Sequence, residues 1–292
     1  MNISPINQNL LSPSSSGFHG PSLGRLLQEI GKITPEDTER ILQLQRKEGL
    51  RFGDAAMKLR LVTEADIQRT LSIQFDYPHL PDGTGEGLSR ELVAAYQPFS
   101  PEAEALRTLR SQLILQWFGT GHKMLAVIGT HPDDGCSALA ANLAVVFSQM
   151  GENTLLIDAN LRQPTQHDLF SLGEQHGLTN ILIGRAGLET VNRIDSLANL
   201  CVLGAGAVPP NPQELLSRRG FGELMHKLQA LHDVIIVDAA PWLGTADAQL
   251  VAMRCGGALL VSRLNVTPLR DLINMRDQLL GSDVRIVAGV AR

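Results

Sequence analysis

From residue 123 onward, short apolar runs alternate with longer segments in which apolar residues recur at helical spacing. Runs that are apolar throughout are typical of strands buried on both faces, and the periodic segments between them are typical of crossover helices. The pattern therefore predicts an α/β fold, a parallel sheet with helices on both faces. The predicted strands are residues 123–130, 153–159, 199–205, 233–239, 257–263 and 285–290, and the clearest predicted helices are residues 137–150 and 213–231.

Residues 21–80 have a different pattern, which is helical and repeats itself after 29 positions. The repeat pairs Gly24 with Gly53, Thr34 with Thr63, and Asp37 with Asp66. Each threonine precedes a polar first turn, as helix N-caps do. We expect a small helical repeat domain in which two helix–turn–helix units pack on each other.

Composition changes mark the other boundaries. Residues 1–20 are rich in Ser, Pro, Asn and Gly, which predicts a disordered tail. Pro and Gly punctuate residues 81–102, which we interpret as a linker. The α/β domain then occupies residues 103–292 and begins with an amphipathic helix at 103–118.

Charge and cysteine content exclude several classes of protein. The formal net charge of the 292 residues is −5, which argues against a nucleic-acid-binding surface. Three scattered cysteines are too few for a disulfide framework or a metal knuckle, and they suit a reducing compartment. No apolar run approaches the roughly 18 residues of a membrane span, and the N-terminus lacks the pattern of a secretory signal. These features predict a cytoplasmic protein.

Residues 130–137 connect a predicted strand to a predicted helix, which is the position of a phosphate-binding loop. Such loops bind phosphate through backbone N–H groups and the helix N-terminus, with a Lys on the phosphates and a Ser or Thr on Mg²⁺. Gly135 and Ser137 fit this pattern, whereas Cys136 stands at the Lys position and Thr130 at the first Gly position. Asp133 and Asp134 add negative charge where phosphate would lie.

Two acids follow later strands. Asp158 ends the run Leu155-Leu-Ile-Asp158, and Asp238 ends the run Val234-Ile-Ile-Val-Asp238. Ligands of parallel α/β sheets bind beyond the carboxyl ends of the strands, so both acids are predicted to meet the loop there. An acid in that place holds Mg²⁺ in nucleotide hydrolases.

Together these segments resemble the bacterial tyrosine kinases of polysaccharide synthesis, relatives of MinD-type ATPases with altered phosphate loops. The resemblance covers about residues 95–290, and residues 21–80 resemble the N-terminal extension of the branch associated with exopolysaccharide chain-length determinants. Two further segments carry the resemblance. One is an E-x-x-R-x-x-R pattern at Glu104, Arg107 and Arg110, and the other is the segment 203–216, similar to G-x-x-P-P-N-P-x-E-L-L.

The resemblance implies a P-loop NTPase-like fold that uses ATP and Mg²⁺. Asp158 and Asp238 would be the catalytic acids, and they would hold Mg²⁺ together with Ser137. The implied nucleotide contacts are Thr130, Asp134, Gly135, Cys136, Ser137, Ala138 and Arg162. Relatives phosphorylate tyrosines on a partner copy, depend on a membrane chain-length-determinant protein, and self-associate through the helix that carries Glu104, Arg107 and Arg110.

The departures from the family pattern fall on the chemistry. Cys136 replaces the loop Lys, and Asn160 replaces the second acid of a D-x-D-x-R pattern. The sequence ends at Arg292, where relatives continue with an adenine-pocket Asn, and it shows no C-terminal tyrosine cluster. We therefore predict a pseudokinase, a degenerate or weakly ATP-binding regulatory subunit of exopolysaccharide biosynthesis and chain-length control. The alternative is an active ATP-dependent tyrosine kinase that phosphorylates a partner in trans.

Two other functions compete. Residues 21–80 resemble the N-terminal domain of type II secretion ATPases, some of which bind cyclic di-GMP. This resemblance predicts a cyclic di-GMP-responsive adaptor, and it implies an Arg-Leu-Gly opening in each repeat. The second repeat opens with Arg51-Phe-Gly53, but the first opens with Ser22-Leu-Gly24, so one of the two anchoring arginines is missing. A partition-type ATPase is disfavoured because His131 stands where its signature Lys is expected. The predicted location is cytoplasmic, with peripheral attachment to the inner membrane through a partner.

Overall fold

The computed structural model describes residues 22–74, 80, 87–173 and 176–292. The predicted tail at 1–20 and residues 81–86 of the predicted linker lie outside these ranges. The chain divides into two compact units, Met1–Tyr77 and Pro78–Arg292. Each unit has apolar clusters of its own.

Four helices form the described part of the first unit. They are α1 (Leu23–Glu29), α2 (Pro35–Glu48), α3 (Phe52–Lys58) and α4 (Glu64–Gln74). Thr34 caps α2, where its hydroxyl accepts from Asp37 N at 3.1 Å and Asp37 Oδ2 accepts from Thr34 N at 3.1 Å. Thr63 and Asp66 repeat this exchange at the start of α4, at 3.2 and 2.9 Å. Both equivalent positions of the sequence repeat thus make the same N-terminal cap.

A seven-stranded sheet organises the second unit. Its strands are β1 (Met124–Gly129), β2 (Thr154–Ala159), β3 (Asn192–Arg193), β4 (Leu200–Leu203), β5 (Val234–Ala239), β6 (Gly257–Ser262) and β7 (Arg285–Ala291). The order is β3-β4-β2-β5-β1-β6-β7, and every neighbouring pair is parallel except β3 with β4. The predicted parallel sheet is confirmed. The two-residue β3 escaped prediction because it is too short to show a pattern.

Helices cover both faces of this sheet, as predicted. They are α5 (Val93–Tyr96), α6 (Pro101–Gln116), α7 (Cys136–Gln149), α8 (Gln166–Leu169), α9 (Leu178–Leu182), α10 (Pro212–Ser217), α11 (Arg219–Leu231), α12 (Asp247–Cys255) and α13 (Leu269–Leu280). Two buried clusters lie on the opposite faces, one built with α6 and α7, the other with α11, α12 and α13. The helix predicted over 213–231 is two helices, because Arg218 has extended backbone at φ −64° and ψ 149°.

Part of the predicted linker packs on α7. The Asn142 side chain of α7 accepts from Ala94 N at 2.9 Å and donates to Glu91 O at 2.8 Å. Gln149 Nε2 donates to Ala94 O at 2.9 Å. Residues 91–96 therefore belong to the second unit, held by side-chain amides that satisfy their backbone groups. In the described parts of the chain, no helix has both the length and the apolar composition that a membrane crossing needs.

Candidate functional site

The structure brings the predicted loop and both predicted acids to one edge of the sheet. β1 and β2 both pair with β5, and the register sets Asp158 directly beside Asp238. The loop that follows β1 leads into α7, whose N-terminus lies at the same carboxyl edge. Parallel pairing produces this convergence, because it places the ends of neighbouring strands together.

Two glycines shape the loop. Gly135 precedes α7 with φ 79°, a left-handed conformation that glycine adopts without steric cost. Gly129 ends β1, and a Cβ there would come within 2.6 Å of Cys136 Sγ. The first N–H groups of α7 have no partner inside the helix, and together with the helix dipole they attract an anion. The loop therefore keeps the backbone features of a phosphate site.

The Asp134 carboxylate turns into the loop and away from the expected phosphate position. Its Oδ2 accepts from Thr130 N at 2.7 Å, Thr130 Oγ1 at 2.9 Å and His131 N at 2.8 Å. Its Oδ1 accepts from Thr267 Oγ1 at 2.6 Å, and only 2% of the residue is exposed. Burial opposes ionisation, but the hydrogen bonds from Thr267, His131 and Thr130 outweigh it and hold the pKa of Asp134 below its usual value. Of the two loop acids, only Asp133 is exposed.

Cys136 supplies no charge to the loop. The residue is 9% exposed, and its thiol faces Gly129. Burial raises the pKa of Cys136, and the nearby Asp238 and Asp134 carboxylates raise it further, while Arg292 opposes them. The thiol is therefore neutral at physiological pH, which leaves the position of the usual loop cation uncharged.

Asp158 and Asp238 are a buried pair at the ends of β2 and β5. Asp158 accepts from Asn160 N at 3.1 Å through Oδ1, and from Thr165 N at 3.1 Å and Gln166 N at 3.0 Å through Oδ2. Burial raises the pKa of both carboxyl groups, and the charge of Asp238 raises the pKa of Asp158 further. The pair therefore keeps a proton to a higher pH than a solvated carboxyl group does.

Asp238 has unused hydrogen-bonding capacity. Its Oδ2 accepts from Gln166 Nε2 at 2.7 Å, and the neighbouring Ser137 hydroxyl lowers the pKa of the carboxyl group against the effect of burial. Among the described residues, Asp238 Oδ1 and Gln166 Oε1 have no hydrogen-bond partner although both are buried. Carboxylate, amide and hydroxyl oxygens are the ligands that Mg²⁺ prefers. The side chains of Ser137, Gln166 and Asp238 therefore fit a divalent cation.

Arg162 and Asn160 have structural partners. Arg162 Nε lies 2.6 Å from Asp247 Oδ2 in an ion pair, and Asp247 is 1% exposed. Asn160 Oδ1 accepts from Gln163 N at 3.2 Å and so stabilises the turn after β2. The sequence prediction that Arg162 contacts nucleotide stays a prediction, since the structure shows its guanidinium engaged by a buried acid.

Arg292 is a residue of this site that sequence reasoning missed. It follows β7, and its Nη1 donates to Gly135 O at 2.9 Å. A Cβ on Gly135 would come within 2.5 Å of Nη1, so the guanidinium lies directly on the loop. Gln166 and Asp247 were also missed as site residues. The sequence did contain a signal for them, because Gln166 lies in the segment that follows Asp158 and Asp247 lies in the segment that follows Asp238.

A cavity of about 920 Å³ adjoins the loop, between α6, the first half of α7 and the end of β7. Its size is within the range of small-molecule sites. Its polar and charged lining includes Glu91, Glu102, Glu104, Asn142 and Arg292, and Ala138 lies in the wall beside the loop.

The residues predicted to mediate self-association have contacts within their own unit. Arg107 pairs with Glu104 at 2.7 Å and donates to Pro98 O at 2.6 Å. Arg110 Nη1 donates to Val146 O at 2.6 Å, which ties α6 to α7. Self-association through this motif stays a prediction.

No protein-family model matches the chain. Tyrosine-protein kinase YwqD of Bacillus subtilis is 38% identical over 177 residues, which are 61% of this chain and 75% of that protein. Tyrosine-protein kinase wzc of Salmonella typhimurium is 33% identical over 182 residues, 62% of this chain, and the chain spans only 25% of its length.

Two solved structures extend the comparison. The kinase domain of Escherichia coli tyrosine kinase ETK superposes with a TM-score of 0.66 at 29% identity, covering 74% of this chain and 80% of that chain. The septum site-determining protein MinD complexed with Mg-ADP, from Pyrococcus horikoshii, superposes with a TM-score of 0.52 at 21% identity, covering 58% and 70%. The MinD likeness bears on the fold alone.

Proposed function

The chain belongs to the family of bacterial tyrosine kinases that includes YwqD, wzc and ETK, and from this membership we propose that it binds a nucleoside triphosphate with Mg²⁺ at the edge described above. It acts as a kinase-like regulatory subunit of exopolysaccharide biosynthesis and chain-length control, with weak ATP binding. A membrane chain-length-determinant protein is the proposed partner, and attachment to the inner membrane through it is part of the proposal. Cyclic di-GMP binding by the first unit stays a prediction.

One observation carries the nucleotide proposal: the buried, unpartnered Oδ1 of Asp238 beside the Ser137 hydroxyl. A buried polar atom without a hydrogen bond is costly, and native proteins usually reserve such atoms for a ligand, ion or water. The α7 N-terminus lies within the same site and attracts phosphate, so anion and cation would be bound side by side. A bound Mg²⁺ would supply positive charge that offsets the negative charge of the phosphates.

Each residue of this site has a separate proposed role. The N–H groups at the start of α7 bind phosphate, and Ser137 and Asp238 hold the cation. Gln166 orients Asp238 through the 2.7 Å hydrogen bond from its Nε2. Asp158 lies beside this carboxylate, and its burial next to Asp238 keeps its pKa raised; positive charge bound at Asp238 would lower that pKa.

The proposal of weak activity rests on two neutral residues. Cys136 carries no charge, and Asn160 has an amide where relatives have a second acid. Phosphoryl transfer depends on electrostatic stabilisation, and loss of one such contact typically lowers the rate by about 10²–10³. A regulatory role that needs binding more than turnover fits these substitutions.

Calorimetric titration of the purified full chain with Mg·ATP and Mg·ADP tests the proposal. We expect measurable binding by the wild type and a loss of about 10- to 100-fold in affinity for Asp238→Asn, because a charged ligand to the cation is removed. Asp233→Asn, at the opposite end of β5, is the matched control and should bind like wild type.

Absence of nucleotide binding by the folded wild type up to millimolar concentration would overturn the proposed function. Transfer of the γ-phosphate to a tyrosine on a partner copy, at a rate matching that of a Cys136→Lys variant, would replace the regulatory role by the active-kinase alternative.

A further inference from the structure

The main chain at Arg292 is fixed next to the loop. Arg292 N donates to Ser262 O at 3.0 Å, and Leu264 N donates to Arg292 O at 2.7 Å. These two bonds continue the β6–β7 pairing past the end of β7. The backbone from which the guanidinium extends is therefore positioned by the sheet itself.

The guanidinium reaches the loop itself. Its Nη1 donates to the carbonyl of Gly135, the residue directly before the N-terminus of α7. Its charge also acts on Cys136, where it opposes the rise in thiol pKa. Arg292 lines the cavity beside Ala138 and Asn142, so the same side chain faces both the loop and the adjoining space.

Arg292 has capacity for a further ligand. A guanidinium carries five N–H donors, and one of them is used on Gly135 O. Within the described ranges, no ion pair engages Arg292. The planar fork of donors matches phosphate oxygens in a bidentate way.

Two other cations of this unit, Arg162 and Lys123, have partners away from the loop. Arg162 is paired with the buried Asp247. Lys123 lies at the opposite end of β1, where its Nζ donates to Gln229 O and His232 O, both at 3.0 Å. Arg292, unlike Arg162 and Lys123, donates from its guanidinium to the loop itself.

We propose that Arg292 is the phosphate-binding cation of this site, supplied by the end of β7 in place of a loop lysine. The inference rests on the proposed function, because it assigns a residue to the terminal phosphates of the nucleotide. The unpartnered Asp238 Oδ1 at the same edge is independent evidence that a charged ligand binds here.

The first experiment compares ATP, ADP and AMP binding by calorimetry in the full chain. Arg292→Gln should weaken Mg·ATP binding by about 10- to 100-fold and AMP binding by less than about threefold, because the lost contact is to the terminal phosphates. Arg292→Lys should recover part of the affinity. Arg285→Gln, an exposed arginine at the opposite end of the same strand, is the matched control and should bind like wild type.

The second experiment restores the loop cation. In a Cys136→Lys background, Arg292→Gln should change ATP affinity by less than about threefold, because the lysine takes over the phosphate contact and the two substitutions are coupled. Circular dichroism and thermal unfolding establish that each variant is folded.

The outcomes separate the two proposals. Equal ATP affinity of Arg292→Gln and the wild type would overturn the role of Arg292 while nucleotide binding stands. A folded wild type that binds no nucleotide would remove the proposed function and this inference together. An equal loss for ATP and AMP would also contradict the inference, since it would place Arg292 away from the terminal phosphates.

Discussion

The loop after β1 and the acid pair at the ends of β2 and β5 each contain a buried carboxylate, and the two carboxylates differ in their hydrogen-bond partners and in the direction of their pKa shifts. Asp134 accepts four hydrogen bonds from its own chain, and its pKa is lowered. Asp238 is equally buried, its pKa is raised, and one oxygen has no partner. The loop carboxylate is therefore a structural element, whereas the acid pair keeps its capacity for a ligand.

This difference changes how the loss of the loop lysine is understood. The sequence suggested that the two loop acids would repel phosphate. In the structure, the Asp134 carboxylate accepts hydrogen bonds from Thr130, His131 and Thr267. Ser137 and Asp238, the two residues proposed to hold the cation, are both present. The loop lacks the positive charge of a lysine, and the fold brings the Arg292 guanidinium to the carbonyl of Gly135.

The largest expected effect is on the stability of the loop. Asp134→Asn should lower the free energy of unfolding of the second unit by about 3 kcal/mol, because the three bonds to Oδ2 lose the strength that the negative charge gives them and an amide nitrogen cannot accept from Thr267 Oγ1. Urea denaturation followed by tryptophan fluorescence measures this, since both tryptophans, Trp117 and Trp242, lie in that unit.

The neighbouring exposed acid provides the control for that change. Asp133→Asn should alter stability by no more than about 0.5 kcal/mol, as surface substitutions usually do. If Asp134→Asn were equally mild, Asp134 would not be the structural carboxylate described here, and the comparison with Asp238 would fail.

Substitution in the acid pair should raise the free energy of unfolding, whereas Asp134→Asn should lower it. A carboxyl group whose pKa is raised by folding keeps its proton where the unfolded chain has released it, so its contribution to stability is lost as pH rises from about 4 through the raised pKa. Asp238→Asn removes one of the two charges. We expect the Mg²⁺-free variant to match the wild type near pH 5 and to be more stable by about 1 kcal/mol at pH 8.

Denaturation midpoints measured across pH 5–8 in the presence of a chelator test this expectation. A variant that is less stable than the wild type at pH 8 would mean that Asp238 is a satisfied structural carboxylate like Asp134. Asp134 should have the opposite pH dependence. Its lowered pKa contributes stability to the folded state, and this contribution is lost as pH falls below about 4.

The parts of the structure that follow from local pattern were predicted from the sequence. β1, β2 and β5 are buried along their whole length, which is the condition that produces an uninterrupted apolar run. The meeting of Asp158 and Asp238 follows from the rule that ligand sites lie at the carboxyl ends of parallel strands. The break at Arg218 was missed, because helical periodicity continues on both sides of one extended residue.

The contacts that decide the chemistry of the loop are distant in sequence. Thr267 and Asp134 are 133 positions apart, and Arg292 and Gly135 are 157 apart. Nothing in the local pattern around Gly135 indicates which side chain arrives from β7. The sheet order β1-β6-β7 creates both contacts, so they depend on the tertiary fold and not on the motif.

The last expected effect concerns the long-range hydrogen bond that helps to fix Asp134. Thr267 Oγ1 donates to Asp134 Oδ1 at 2.6 Å and accepts from Arg263 N at 2.8 Å. Thr267→Val keeps the shape of the side chain and removes both bonds, which should cost about 1–2 kcal/mol. Thr267→Ser keeps the hydroxyl and is expected to lose less. In an Asp134→Asn background the loss of stability caused by Thr267→Val should be smaller, because the two residues are in contact and their effects are coupled. If the two losses were fully additive in the same urea denaturation, Thr267 would not act through Asp134.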